Sequence, residues 1–336
     1  MTEGIFESLF YLSKRKEEKM KYYITGDCHR HFERIFFFCR HHATTKEDVM
    51  ILLGDAGVNF FIDETDRELK RMLSELPVTF FFIHGNHEER PYNISSYRTK
   101  LWQEGIVYYE PEYPNLLFAR DGEIYNLGGK KTLVIGGAYS RDKEYRLLTG
   151  LPWFPDEQPS AEIRKRVERT LEIAGYSVDY VQSHTAPMIY VPLREYQSKT
   201  EIPDYATEEW LDQIEKKLNY KKWYFGHFHE NFRYPSGEAE ILYEEIKELG
   251  AEDYIQKLGR PAYRIGQNVY FTLESGQKDG YGKIRVVDSY GTLGQDKEVS
   301  YDIEGFVCSD SGRKMLFKHV RESEIESMEE MVEEKS

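Results

Sequence analysis

Five short segments of the chain carry side chains that can bind a metal ion or move a proton. They are Gly26-Asp27-Cys28-His29, Gly54-Asp55-Ala56-Gly57, Gly85-Asn86-His87-Glu88, Ser183-His184 and Gly226-His227-Phe228-His229. Each segment comes at the end of an apolar run that is typical of a β-strand. Because open α/β sheets place their sites at the carboxyl ends of the strands, we expect these side chains to converge at one rim of the fold.

The spacing within the segments suits metal binding. Asp27 and His29 lie two residues apart, so both project from the same side of an extended strand end and can bind one ion. His227 and His229 have the same spacing. A carboxylate such as Asp55 can bridge two cations. The whole set offers oxygen and nitrogen ligands without a thiolate, which favours manganese, iron or zinc.

All five segments, in this order, resemble the calcineurin-like metallophosphoesterase superfamily, in particular its bacterial members. The family pattern is D-x-H, G-D, G-N-H-[DE], a single H and G-H-x-H, and the chain is similar to it from Asp27 to His229. The resemblance implies two divalent metal ions (Mn, Fe or Zn) as cofactors. It assigns as metal ligands Asp27, His29, Asp55 and His229 for one ion, and Asp55, Asn86, His184 and His227 for the other.

The resemblance also implies the reaction. It identifies a metal-dependent phosphoric ester hydrolase, a phosphatase or phosphodiesterase, in which a hydroxide activated by a dinuclear metal centre attacks a phosphate mono- or diester. Asp55 and His87 are the implied catalytic residues, with His87 as the general acid that protonates the leaving alkoxide. The implied substrate is a phosphorylated small molecule, a phosphoprotein or a nucleotide.

The second segment departs from the protein serine/threonine phosphatases of this superfamily. Where those enzymes read G-D-x-x-D-R-G, this chain reads G-D-A-G-V-N-F from Gly54 to Phe60 and lacks the Asp-Arg pair. The departure argues against a true protein phosphatase. Arg30, Arg90 and Arg141 are predicted to bind the substrate phosphate instead, because a guanidinium recognises phosphate in a bidentate manner.

The alternation of short apolar runs with longer polar stretches predicts an α/β fold. Helices are predicted over 31–42 and 63–76, and at about 160–174 and 207–218. The resemblance implies a four-layer αββα sandwich of the metallo-dependent phosphatase type, with a small C-terminal α+β appendage. The predicted domains are an N-terminal extension (1–19), the metallophosphoesterase domain (20–248), a small β-rich appendage (249–320) and an acidic tail (321–336).

The composition of the chain indicates where in the cell the protein is found and which classes of partner it can bind. The 336 residues include 45 basic and 59 acidic side chains, and the net charge of −14 disfavours binding to duplex nucleic acid. The apolar runs are shorter than the roughly 18 residues that a membrane-spanning helix needs, so no membrane partner is expected. Three cysteines without a C-x-x-C pair, and an N-terminus without a signal-peptide pattern, predict a cytoplasmic protein.

Two other functions stay open at this point. A metal-dependent nuclease would use the same ligands, although binding of a single strand requires an aromatic and basic groove. The chain could also be a catalytically silent, metal-bound scaffold for protein interactions. An enzyme would lose most of its turnover on removal of His87, whereas a scaffold would be unaffected.

Overall fold

The computed structural model describes residues 20–192, 204–234, 238–250, 261–263, 267–272, 279–288, 298–308 and 310–327. The chain divides into two compact units, Met1–Leu249 and Gly250–Ser336. The predicted N-terminal extension, residues 1–19, lies outside the described residues. Among the described residues, no helix is both long enough and apolar enough to cross a lipid bilayer.

The first unit contains both strands and helices, which alternate over its first three strands. The strands are β1 (Tyr22–Thr25), β2 (Val49–Leu52), β3 (Thr79–Phe82), β4 (Arg98–Trp102), β5 (Gly105–Glu110), β6 (Tyr113–Ala119), β7 (Ile124–Leu127), β8 (Lys130–Ile135), β9 (Tyr180–Ser183), β10 (Lys222–Phe225), β11 (Phe232–Arg233), β12 (Ala239–Ile241) and β13 (Lys247–Glu248). The helices are α1 (Glu33–His42), α2 (Glu64–Glu75), α3 (Lys143–Thr149), α4 (Ala161–Ile173) and α5 (Ala206–Glu215). The four helices predicted from the sequence correspond to α1, α2, α4 and α5.

The first sheet has the strand order β13-β1-β2-β3-β6-β5-β4. Strands β1, β2, β3 and β6 run parallel, and β13, β5 and β4 run antiparallel to their neighbours. The register places Thr25 beside Leu52 and Leu52 beside Phe82. Strands β1, β2 and β3 therefore end at the same level, and the segments that follow them start from one rim.

The second sheet has the strand order β11-β12-β10-β9-β8-β7. Strands β12, β10, β9 and β8 run parallel, with Ile135 beside Ser183 and Ser183 beside Phe225. His184 follows β9 directly, and His227 comes two residues after β10. The ends of β9 and β10 therefore place these two histidines next to each other.

In the described part of the first unit, three apolar cores join the sheets and the helices. The core between the two sheets includes Ile51 of the first sheet and Tyr224 of the second. A second core lies on the outer face of the first sheet, beneath α1 and α2, and includes Leu73. On the outer face of the second sheet lie α4 and α5, with Val167 and Leu211 buried there. This arrangement is the four-layer αββα sandwich that the resemblance implied.

The second unit contains a five-stranded antiparallel sheet. Its strands are β14 (Asn268–Thr272), β15 (Asp279–Asp288), β16 (Ser300–Val307), β17 (Asp310–Arg321) and β18 (Ile325–Ser327), in the order β17-β16-β15-β14-β18. Phe271 and Phe317 pack in its core with ring centroids 4.7 Å apart. Ile325, which falls in the predicted acidic tail, is buried in the same core. Its strand, β18, pairs with β14. Residues 328–336 lie outside the described residues.

The N-terminus of α2 provides a test of the fold. The carboxylate of Asp63 caps this helix by accepting a hydrogen bond from the backbone N–H of Thr65 at 2.8 Å. Asp63→Ala should lower the free energy of unfolding of the first unit by about 1 kcal/mol, because that N–H loses its partner. All four tryptophans, Trp102, Trp153, Trp210 and Trp223, lie in this unit, so their fluorescence during a urea titration reports its unfolding.

Ser160→Ala serves as the matched variant at the N-terminus of α4. There the hydroxyl oxygen accepts from the backbone N–H of Ile163 at 3.3 Å, a longer bond. We expect a smaller loss of stability than for Asp63→Ala. An unchanged urea midpoint for Asp63→Ala would contradict the assigned cap.

Candidate metal centre

The five segments converge where the carboxyl ends of the two sheets meet. The first sheet contributes the residues after β1, β2 and β3, and the second sheet contributes the residues after β9 and β10. Among the described residues, two groups have ligand atoms that all lie within 4.8 Å of one another: Asp27, His29 and His229, and Asp27, Asp55 and His184. The fold therefore brings together side chains that are far apart in the sequence.

The group of Asp27, His29 and His229 is open to solvent. Asp27 Oδ2 lies 3.7 Å from His29 Nε2 and 3.2 Å from His229 Nε2, and the two Nε2 atoms are 2.9 Å apart. The imidazoles are 31% and 49% exposed, whereas the carboxylate is fully buried. An ion bound by these three side chains would be accessible to a substrate.

The group around Asp55 and His184 is buried, and hydrogen bonds orient it. His184 Nδ1 donates to the carbonyl of Leu53 at 2.7 Å, so Nε2 faces the site, 2.8 Å from Asn86 Oδ1. Asn86 Nδ2 donates to Ser140 Oγ at 2.9 Å, which turns the amide oxygen toward His184. Asp55 Oδ1 lies 3.6 Å from the same Nε2. These three atoms are all acceptors unless Nε2 is protonated, so a proton or a metal ion must lie among them.

His227 lies beside both Asp27 and His184. Its backbone N–H donates to Asp27 Oδ1 at 3.0 Å, and its ring packs edge-on against that of His184 with centroids 5.0 Å apart. Burial and the positive charge of His184 lower the pKa of His227 to about 3. Its imidazole is therefore neutral and can offer a lone pair to a metal ion.

The two buried carboxylates dominate the electrostatics. Burial alone would raise the pKa values of Asp27 and Asp55, but the surrounding imidazoles outweigh burial and lower both, that of Asp55 well below its ordinary value. Burial alone would lower the pKa of His184, but Asp55 and Asp27 raise it to about 9. Asp27 Oδ2 is buried and accepts no hydrogen bond of good geometry from the described residues. Two anions in a site of low dielectric constant attract positive charge, which supports metal binding.

The backbone at the site adopts rare conformations. His29, Asp55, His227 and His229 have φ angles of 44°, 46°, 66° and 50°, in the left-handed region that non-glycine residues seldom occupy. Gly54 has a φ of 101°, and a Cβ at this position would overlap the imidazole of His184. Such strain persists only where the surrounding structure holds it, and it clusters at functional sites.

The donor set fits divalent metal ions. It combines carboxylate and amide oxygens with imidazole nitrogens, and it includes the unsatisfied oxygen of Asp27. Cys28, between two candidate ligands in the sequence, does not belong to the set. It is 3% exposed and lies in the core beneath α1, where burial raises the pKa of its thiol to about 12.

His87 lies beside the buried group. Its Nε2 is 3.8 Å from Asp55 Oδ2, and its backbone N–H donates to Asp55 Oδ1 at 2.8 Å. Arg146 Nη2 lies 3.4 Å from His87 Nε2. Burial lowers the pKa of His87, Asp55 opposes this effect and Arg146 adds to it. The side chain is 16% exposed, so solvent can reach it.

Two of the three predicted phosphate-binding arginines are paired with carboxylates of the fold. Arg30 Nη1 donates to Asp66 Oδ1 at 2.5 Å. Arg90 Nη1 donates to Asp121 Oδ2 at 2.5 Å, and Arg90 is only 2% exposed. Arg90 is therefore held by charge partners of the fold, and its role in phosphate binding stays a prediction. Arg141 is half-buried and follows Ser140, the partner of Asn86.

Several residues at the site have no counterpart in the sequence predictions. Ser140 and Arg146 follow β8, and extending the strand-end rule to β8 would have indicated them. The ring of Tyr243 stacks on that of His229, with centroids 4.9 Å apart and 20° between the planes. Arg34 Nη2 lies within 2.7 to 3.1 Å of the carbonyls of Asp27, Gly26 and Tyr243, so it ties the end of β1 to the segment after β12.

Residues 20–231 match the family model of the calcineurin-like phosphoesterases. Among solved structures, the protein TT1561 of Thermus thermophilus is 13% identical, with 68% of this chain and 98% of that chain covered and a TM-score of 0.40. The phosphopantetheinyl hydrolase of Mycobacterium tuberculosis is 12% identical, with 73% and 99% covered and a TM-score of 0.33. The calcineurin-like phosphoesterase YfkN of Bacillus subtilis is 10% identical, with 87% and 90% covered and a TM-score of 0.33. No curated protein matches the chain.

The buried pair of Arg90 and Asp121 provides a test that separates a structural arginine from a substrate-binding one. Arg90→Met should lower the free energy of unfolding by about 3–5 kcal/mol, because it leaves the Asp121 carboxylate buried without its charge partner. Urea titration followed by tryptophan fluorescence measures the loss. Arg169→Met, at an exposed position of α4, is the control and should change stability by less than about 0.5 kcal/mol. Normal stability combined with weakened phosphate binding would restore Arg90 as a substrate residue.

Proposed function

This chain belongs to the calcineurin-like phosphoesterase family, and from that premise we propose that it hydrolyses phosphate esters with two divalent metal ions. The observation that carries the proposal is the pair of buried carboxylates, Asp27 and Asp55, with imidazole nitrogens grouped around them. Two carboxylates held close together can bind two cations side by side, which is the arrangement that two-metal hydrolysis uses.

The proposed ligands form two overlapping sets. We assign one ion to Asp27, His29, Asp55 and His229, and the other to Asp55, Asn86, His184 and His227. The distances of 3.2–3.9 Å between the imidazole Nε2 atoms and the carboxylate oxygens support the assignment for His29, His184 and His229. Asp55 is shared because its Oδ2 lies 3.9 Å from His29 while its Oδ1 lies 3.6 Å from His184. Manganese, iron and zinc all suit these donors.

The chain's own side chains orient the site and move the proton. When bound, the metal ions supply Lewis-acid catalysis, by neutralising phosphoryl charge and by making water a nucleophile at neutral pH. We assign to His87 the protonation of the leaving alkoxide, and the bond from its backbone N–H to Asp55 supports this role because it holds the residue at the site. Leu53 and Ser140 orient His184 and Asn86 through their hydrogen bonds.

The proposed substrate is a phosphorylated small molecule, a phosphoprotein or a nucleotide. The net charge of −14 argues against duplex nucleic acid as a partner. A cytoplasmic location is part of the proposal, and the free thiols of Cys28, Cys39 and Cys308 support it. The competing interpretation is a catalytically silent, metal-bound scaffold. Removal of His87 distinguishes the two, because an enzyme would lose most of its turnover and a scaffold would be unaffected.

Replacement of His87 tests the reaction. Metal-stripped protein resupplied with manganese should hydrolyse p-nitrophenyl phosphate or bis-p-nitrophenyl phosphate. His87→Ala should lower turnover by about 10²–10⁴-fold, because a general acid is removed, while the bound metal content stays the same. His31→Ala, with an imidazole that is 79% exposed, is the control and should keep full activity. A His87→Ala variant as active as the native protein would rule out the proposed general acid.

Replacement of Asp55 tests the ligand assignment. Asp55→Asn should reduce the occupancy of both metal positions, because this carboxylate is assigned to both ions and the amide cannot supply its charge. Elemental analysis after dialysis against manganese or zinc measures the metal content per chain. If Asp55→Asn retained both ions at full occupancy, the shared-ligand assignment would be wrong.

A further inference from the structure

The guanidinium of Arg146 lies next to His87, at the side of the site that solvent can reach. Arg146 belongs to α3, the short helix that follows β8. Its Nη2 atom is 3.4 Å from His87 Nε2. Arginine has no acceptor atom, so the contact places a charged N–H donor beside the residue proposed as the general acid.

Three contacts hold the guanidinium in this position. Nε donates to Asp142 Oδ2 at 2.8 Å, and Nη1 donates to the carbonyl of Pro152 at 3.2 Å. The ring of Phe60 lies with its centroid 5.8 Å from the guanidinium carbon. The Arg146 side chain is 13% exposed. A ligand would therefore meet a guanidinium that is already ordered, which lowers the entropic cost of binding.

The orientation of Arg146 distinguishes it from the predicted arginines Arg30 and Arg90. In each of those, a terminal Nη atom is bonded to a carboxylate. Arg146 uses Nε for its carboxylate, Asp142, and leaves Nη2 turned toward His87. Arg146 therefore donates to its carboxylate through Nε and approaches His87 through a terminal nitrogen.

Charge and geometry make a phosphoryl oxygen the fitting ligand for this nitrogen. A guanidinium forms strong, charge-assisted hydrogen bonds with phosphate oxygens. A phosphate monoester has three non-bridging oxygens and a diester has two. The monoester thus presents one more anionic oxygen, which a cationic side chain outside the metal centre can bind.

We propose that Arg146 binds the phosphoryl oxygen that a monoester has and a diester lacks, and that it makes this site selective for phosphate monoesters. The inference rests on the proposed function, since it places the phosphoryl group of the substrate beside His87. Arg146 is then a substrate-binding residue, and Asp142 is the residue that positions it.

The kinetic test compares two substrates in the manganese-loaded full-length protein. Arg146→Ala should lower kcat/KM for p-nitrophenyl phosphate by about 30-fold or more, the loss expected for a hydrogen bond to a charged group. The value for bis-p-nitrophenyl phosphate should fall by less than about threefold. Arg146→Lys should lose an intermediate amount, because lysine keeps the charge without the planar fork. Arg169→Ala, at an exposed position of α4, is the matched control and should change neither value.

The binding test does not depend on turnover. Inorganic phosphate carries the same anionic oxygens as a monoester, and its binding to the manganese-loaded protein can be measured by isothermal titration calorimetry. Arg146→Ala should raise its dissociation constant by at least about tenfold. Guanidinium ion added to Arg146→Ala should restore part of the monoester activity. Thermal unfolding of each variant verifies that the first unit is folded.

The outcomes separate this inference from the proposed function. Equal losses on the two substrates with unchanged phosphate binding would mean that Arg146 acts only through His87, and the inference would be overturned. Native activity of Arg146→Ala on the monoester would overturn it while leaving the phosphoesterase proposal intact. If the native protein hydrolysed neither substrate, weaker phosphate binding by Arg146→Ala would still support the contact, and unchanged binding would overturn it.

Discussion

The burial of two carboxylates, Asp27 and Asp55, constrains every element around them. An ionised carboxylate is tolerated inside a protein only where it meets positive charge or hydrogen-bond donors. Each of the two accepts a backbone N–H from a segment that follows another strand: Asp27 from His227 at 3.0 Å, and Asp55 from His87 at 2.8 Å. Asp27 thereby links the first sheet to the second, and Asp55 links β2 to the segment after β3. The two sheets must pack with their strand ends at one rim for the backbone N–H of His227 to reach Asp27, whereas the bond to Asp55 requires only that β2 and β3 end side by side.

The same requirement explains the unusual backbone of the rim. A side chain at Gly85 would overlap Asp55, and one at Gly226 would overlap Asp27, so the chain passes closer to each carboxylate than any other residue allows. The backbone N–H groups that reach the carboxylates belong to residues just after these glycines. Candidate ligands such as Asp55 and His229 have left-handed φ angles of 46° and 50°. Conformational strain at the rim is thus balanced by hydrogen bonds and charge that only the folded sheets supply.

The strands that directly precede the candidate ligands could be predicted from the sequence, because each is a short apolar run followed by residues of metal-ligand type. A four-residue buried strand such as β2, with the sequence VMIL, is a continuous apolar run, as expected for a strand covered on both faces. Helix α3 could not be predicted, because none of its seven residues is buried and no apolar period marks it. The residues that pair with the arginines could not be predicted from the sequence either. Arg90 meets Asp121 and Arg146 approaches His87 only in the folded chain, and pairing between distant segments leaves no local signal.

The segment from Glu230 to Leu249 follows the last candidate ligand, yet it completes both sheets. Strand β12 pairs with β10, and β13 pairs with β1. The ring of Tyr243 covers His229, and its carbonyl meets Arg34. A gene fragment that ended at His229 would encode every candidate ligand and still leave β1 and β10 with unpaired edges, which favour association with other chains. The shortest gene fragment that encodes both sheets with these edges paired must therefore extend beyond His229, and it is longer than the fragment that encodes the candidate ligands.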